Sequence, residues 1–254
     1  MASKDKILLA CVLDTETGGL DPKKCAITQL SCKLIRMDTY EIVGVFDKYI
    51  KPYKKKGGIF GKAKKLKTKQ EIEQEEQGYY EYQEKAMQVT GLSFDFLEKK
   101  GEDINDVASS FLSFVKKCSQ GATGGSKPFL VGQNIPFDLG FLQHMFTYTG
   151  LMKEFSTVFQ GKEDINGNFN PTMMDTLLLS RLVFANDPSI TSYKLEAMAG
   201  VLGVELVDAH SSMADVDATG DIFVVLVNRM RNGVESNTSD FLKSAEKYRA
   251  HFMI

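Results

Sequence analysis

The chain has 254 residues, with 43% apolar and 25% charged side chains and a formal net charge of −2. This is the balance of a globular protein, and no apolar run approaches the roughly 20 residues needed to cross a bilayer, so no membrane partner is expected. Cys11, Cys25, Cys32 and Cys118 form no C-x-x-C pair and no zinc-finger spacing, and the N-terminus has no small-residue cleavage pattern. The expected setting is therefore intracellular, cytoplasmic and reducing.

Residues 6–14, 25–36 and 41–51 are rich in Ile, Leu, Val and Cys and are separated by turn signals, which predicts three consecutive strands in a meander. The near-neutral total then hides a local excess, because nine lysines fall within residues 51–69 and six glutamates follow between Glu71 and Glu84. Gly57, Gly58 and Gly61 mark this stretch as a loop, expected as an insertion at about 52–77. Helix-like spacing resumes in "YYEYQEKAMQVTGL". From Asp103, Ile104, Val107, Phe111, Leu112 and Val115 recur on one helical face. "FLVGQN" reads as a short buried fourth strand. Helices are then expected at about 137–150, 172–185, 192–203, 211–232 and 239–254. Strands followed by alternating strand and helices predict a single α/β domain over residues 1–254, with helices on both faces of one mixed sheet. The terminal helix at 239–254 would be an addition to that domain.

The chemistry is suggested by where the acids fall. The first apolar run ends in Asp14-Thr15-Glu16, followed by Gly18, Gly19 and Pro22. Asp14 and Glu16 share one face of an extended chain, where two like charges repel unless a cation lies between them. Asp138 opens the helix after the fourth strand. His210 precedes Asp215 by five residues, about 500° of helix, so the two face one spot only if His210 sits in the loop before the helix. Ser211 or Ser212 would then cap that helix.

Taken in order, these residues resemble the DnaQ-like 3′→5′ exonucleases of the DEDDh type. The family's D-x-E-T motif is matched from Asp14 to Thr17 and runs on into Gly18-Gly19-Leu20, N-x-x-F-D is matched from Asn134 to Phe137-Asp138, and H-x-x-x-x-D by His210 and Asp215. Ser211 stands where the subtype with a tyrosine would carry it. The resemblance covers about residues 6–230, apart from the insertion, and implies an RNase H-like sheet: a three-strand antiparallel meander plus parallel strands. It also implies hydrolysis of phosphodiester bonds from a 3′ end, with DNA favoured and RNA trimming or a catalytically silent polymerase-associated module as alternatives. A DNA polymerase or another replication protein is the implied protein partner.

Hard divalent cations prefer carboxylate oxygens, and two Mg²⁺ or Mn²⁺ ions about 4 Å apart can both make the nucleophile and absorb leaving-group charge. The expected ligands are Asp14, Glu16, Asp138 and Asp215, with Asp14 bridging. His210 has the near-neutral pKa of a general base. The resemblance implies that Thr15, Thr17 and Leu20 hold the terminal nucleotide and that Asn134 and Phe137 line its pocket. The lysines, among them Lys54, Lys55, Lys56, Lys62, Lys64 and Lys65, suit either a solubilising loop or an arm that grips phosphates. Asp175 is expected to be structural at a helix N-terminus, Asp217 and Asp221 to lie on a solvated face, and His144 and His251 have no assigned role.

Overall fold

A computed structural model describes residues 7–56, 78–206 and 211–232. Lys62, Lys64, Lys65, His210 and the expected helix at 239–254 lie outside the described residues.

The sheet is built on β1 (Leu9–Thr17), β2 (Ile27–Arg36), β3 (Ile42–Tyr49), β4 (Phe129–Gly132) and β7 (Met173–Asp175), in the order β3-β2-β1-β4-β7. β1–β2 and β2–β3 are antiparallel, whereas β1–β4 and β4–β7 are parallel. This is the mixed sheet expected from the sequence. β1 reaches Thr17, three residues beyond its predicted end, so both acids lie inside the strand rather than at its tip.

The central strands are buried on both sides, which explains their unbroken apolar character. Side chains alternate between two cores. Leu9, Cys11 and Leu13 enter the larger one, with α3 (Ile104–Thr123), α4 (Pro136–Thr149) and α5 (Met152–Val158). Ala10 and Val12 enter the other, beneath α8 (Ser212–Asn232), with Val216 and Phe223. Asp103 caps α3 by accepting from the Asn105 N–H at 2.8 Å, and Gly124 ends it at φ 68°. All five apolar positions read from the sequence on this helix are buried. At its centre, Phe111 packs parallel to Phe146 and Phe159, with centroids 6.3 and 6.0 Å away.

Three expectations are corrected. Tyr79–Tyr82 is not helical. It runs extended, with bridges from Tyr79 to Lys54 and from Glu81 to Cys25, because Tyr80 and Tyr82 are buried and the backbone finds partners in neighbouring chain. The helices there are α1 (Glu84–Thr90) and α2 (Phe94–Lys100). The helix expected at 172–185 begins with β7, since Met173–Asp175 completes a parallel ladder against Leu130–Gly132. Asp175 then caps α6 (Thr176–Val183). Between α5 and β7 lies an unforeseen hairpin of β5 (Gly161–Glu163) and β6 (Phe169–Pro171). Its signal is present in "DINGN": Gly167 has φ 79°, and Asp164 accepts from the N–H groups of Asn166 and Asn168. α7 (Leu195–Leu202) completes the α8 face.

Candidate active site

Strand parity decides which acids meet. Asp14 and Glu16 follow Ala10 and Val12 on the α8 face of β1, while Thr15 follows Leu13 toward α4. Asp215 descends from the first turn of α8, whose Ser212 hydroxyl donates to the Asp14 carbonyl at 3.0 Å and fixes the helix end over the strand. One carboxylate oxygen from each of Asp14, Glu16 and Asp215 lies within 4.8 Å of the other two. At an effective dielectric constant near 20, two charges at that distance repel by about 3 kcal/mol, more than a typical hydrogen bond returns.

Asp138 arrives from the opposite face, on the first turn of α4. It is 3% exposed, and its Oδ1 accepts from both the N–H (2.9 Å) and the hydroxyl (2.7 Å) of Thr15. It therefore grips the strand between the two acids and is not one of the three clustered carboxylates, although its charge is felt by them.

Burial is the leading cause of raised proton affinity throughout. The Asp14 carboxyl is pushed well above its ordinary range by burial, then by Asp138, Glu16 and Asp215. Glu16 is pushed up to about 7 by burial, then by Asp215 and Asp138. Burial also lifts Asp138 to about 7, against the opposing hydrogen bonds from Thr15.

The residues expected to hold a nucleotide are divided. Thr15 and Thr17 are buried, and the Thr17 hydroxyl donates to Gly19 O at 2.8 Å, so both shape the site from within. Leu20 is 82% exposed on the adjoining loop. Phe137 is half-buried against Phe141, 5.1 Å between centroids. Asn134 is exposed with φ 57°, and its N–H donates to Asp175 Oδ1 at 2.9 Å. Asp175 is thus structural, as expected, but it braces the β4–α4 turn as well as its own helix. Asp217 is not simply solvated, because it pairs with Lys33 of β2.

Asp47 is a neighbour of the site that the motifs do not mark. Its Oδ1 accepts from Gln29 Nε2 and Ser31 Oγ, both at 2.7 Å, and Ser31 lies opposite Asp14 in the ladder. Asp47 is exposed on β3, and strand pairing puts it in line with Asp14 across β2, two strands from the acids.

A family model described as Exonuclease, of RNase T type, matches residues 63–223, well over half of the chain. The chain belongs to this exonuclease family. It is 22% identical over 211 residues to the PolC-type DNA polymerase III of Halalkalibacterium halodurans, covering 83% of this chain and 11% of that protein. It is 22% identical over 242 residues to that of Pediococcus pentosaceus, 94% of this chain and 13% of the relative. In fold it is similar to E. coli Exonuclease I, solved with a dT13 oligonucleotide: TM-score 0.60, 20% identity, 89% of this chain and 42% of that one. This exonuclease chain thus spans only a small part of its polymerase relatives. Among its described residues no helix is long and apolar enough to cross a membrane.

Proposed function

We propose that this exonuclease is metal-dependent and removes nucleoside 5′-monophosphates from the 3′ end of single-stranded DNA, in proofreading or repair. The observation that carries the reading is the convergence of Asp14, Glu16 and Asp215 on one half-buried spot, where closely spaced carboxylates repel one another and a cation between them would relieve that repulsion. All-oxygen donors of this kind suit Mg²⁺ or Mn²⁺. When bound, such ions would supply a water of lowered pKa and positive charge for the developing oxyanions.

The chain's own residues do the rest. Asp14 and Glu16 on β1 and Asp215 on α8 would hold the cations. Asp138, whose raised proton affinity comes mainly from burial, keeps β1 and α4 in register through Thr15 and adds negative charge at the same centre. His210 falls two residues before α8 and acts as the base that takes the proton from the attacking water. Leu20, exposed on the loop after β1, and Phe137, a half-buried ring next to Asp138 in the chain, flank the terminal base. A DNA polymerase is the protein partner this reading favours, since the relatives are named as polymerases.

The test is digestion of 3′- and 5′-labelled single strands, DNA and RNA in parallel, with Mg²⁺, Mn²⁺ or EDTA. Stepwise shortening from the 3′ end of DNA that is lost with EDTA and with Asp14→Ala supports the proposal. Equal or better shortening of RNA would move the substrate to RNA ends, and no metal-dependent shortening of either would refute catalysis.

A further inference from the structure

We propose that Lys23 and Lys54–Lys56 form a phosphate track that holds the strand behind the 3′ end. The inference rests on the exonuclease reading of the acidic centre and adds where the rest of the strand runs.

One extended segment, residues 78–83, ties the lysines to the active-site loop. At one end, Gly78 O accepts from the Lys55 N–H at 2.9 Å, and the Tyr80 N–H donates to Tyr53 O at 3.2 Å. At the other, the Glu81 N–H donates to Lys24 O at 2.9 Å and the Gln83 N–H to Gly18 O at 2.8 Å. Gly18 follows Glu16 by two positions, and a Cβ there would come within 2.3 Å of Glu81 O, so the two segments touch backbone to backbone. The three lysines and the loop carrying Lys23 therefore belong to one continuous, hydrogen-bonded surface that leads to the acids.

Each of the three ammonium groups lies over an aromatic ring. Lys54 Nζ lies 5.2 Å from the centre of the Tyr79 ring, Lys55 Nζ 5.5 Å from Tyr80, and Lys56 Nζ 4.2 Å from Tyr148 while donating to Tyr148 O at 2.6 Å. A ring uses one side of an ammonium, and three N–H donors leave capacity for an anion. Among the described residues the lysine ion pairs are Lys24–Asp21, Lys33–Asp217 and Lys48–Glu102. Lys23 and Lys54–Lys56 make no ion pair there, with Asp21 near Lys23 and Asp103 near Lys56 as the acids that feel their charge. A nearby cluster of carboxylates repels a polyanion, so a strand approaching it gains from cations beside the route. Clustered lysines bind backbone phosphates without reading sequence, as digestion of any strand requires.

The experiment uses the full chain and a dye-labelled DNA single strand of about ten nucleotides in EDTA, with affinity measured against salt. Every phosphate that a substitution leaves unneutralised should flatten the logarithmic salt slope by about 0.7, so Lys23→Gln/Lys55→Gln should flatten it by about 1.4 and weaken binding at least about tenfold at 50 mM salt. Lys23→Arg/Lys55→Arg should restore the slope, and Lys116→Gln/Lys117→Gln, exposed in the second half of α3, should keep it. Coincident slopes for wild type and the glutamine pair, or an equal loss in the α3 control, would overturn the track. Digestion by the wild type with Mg²⁺ is scored separately. Shortening with coincident slopes refutes the track alone, whereas no shortening with a flattened slope refutes the exonuclease reading and leaves a binding surface.

Discussion

Raising the pH of the metal-free protein should destabilise it. The Glu16 carboxyl is pushed from 4.5 up to about 7, chiefly by burial and then by Asp215 and Asp138. The folded state holds this proton more tightly than the unfolded chain does. Its contribution to stability is therefore fully present below about pH 4.5 and is lost as pH rises through about 7. At about 1.4 kcal/mol per tenfold change in proton affinity, Glu16 alone is worth about 3 kcal/mol. Asp14 and Asp138 move in the same direction and titrate together with it, so their contributions do not simply add. About 2 kcal/mol of this is lost between pH 5.5 and 8.5, which for a chain of this size lowers Tm by roughly 4–8 °C. The assay is thermal unfolding in EDTA at pH 5.5 and 8.5, repeated with Mg²⁺ and Mn²⁺. Cations should restore much more stability at the higher pH, where the carboxylates are charged and repel. A Tm that holds or rises between the two pH values, or a cation effect of equal size at both, would refute the account of the site as mutually repelling acids.

Asp215→Asn should remove one of the three charges, cutting metal-dependent turnover about a thousandfold while raising the metal-free Tm at pH 8.5; a paired activity and melting measurement checks both signs at once. Thr15→Val deletes the hydroxyl that donates to Asp138 and leaves a buried carboxylate short of one partner. It should cost about 1–3 kcal/mol in urea unfolding and shift the acid limb of the pH–rate profile upward, and an unchanged limb would show that Asp138 does not titrate with activity. Gly18→Ala drives a methyl group into Glu81 O and should cost about 1–3 kcal/mol; a neutral result would mean that the 78–83 segment yields easily.

Much of the site can be read in one dimension because its parts are local. The D-x-E spacing puts two acids on one face of any strand, whatever the fold. The apolar periodicity from Ile104 to Val115 and the cap at Asp103 specify α3 without help from tertiary contacts. Residues whose state depends on distant partners do not show that state in their spacing. Tyr79–Tyr82 has helical spacing, yet it is extended because Lys54 and Cys25 each offer it a single backbone bridge. Met173–Asp175 is a strand only because β4 presents an open edge.

By itself, the sequence determined the three motifs, the meander and the two-sided burial of the central strands, since all of these follow from side-chain period and local turn chemistry. Only the tertiary structure decided which acids meet. Asp138 and Asp215 stand at equivalent places, each in the first turn of a helix, but α4 and α8 pack on opposite faces of β1. That difference of face sends Asp215 to the carboxylates of Asp14 and Glu16, and Asp138 to the hydroxyl of Thr15 between them.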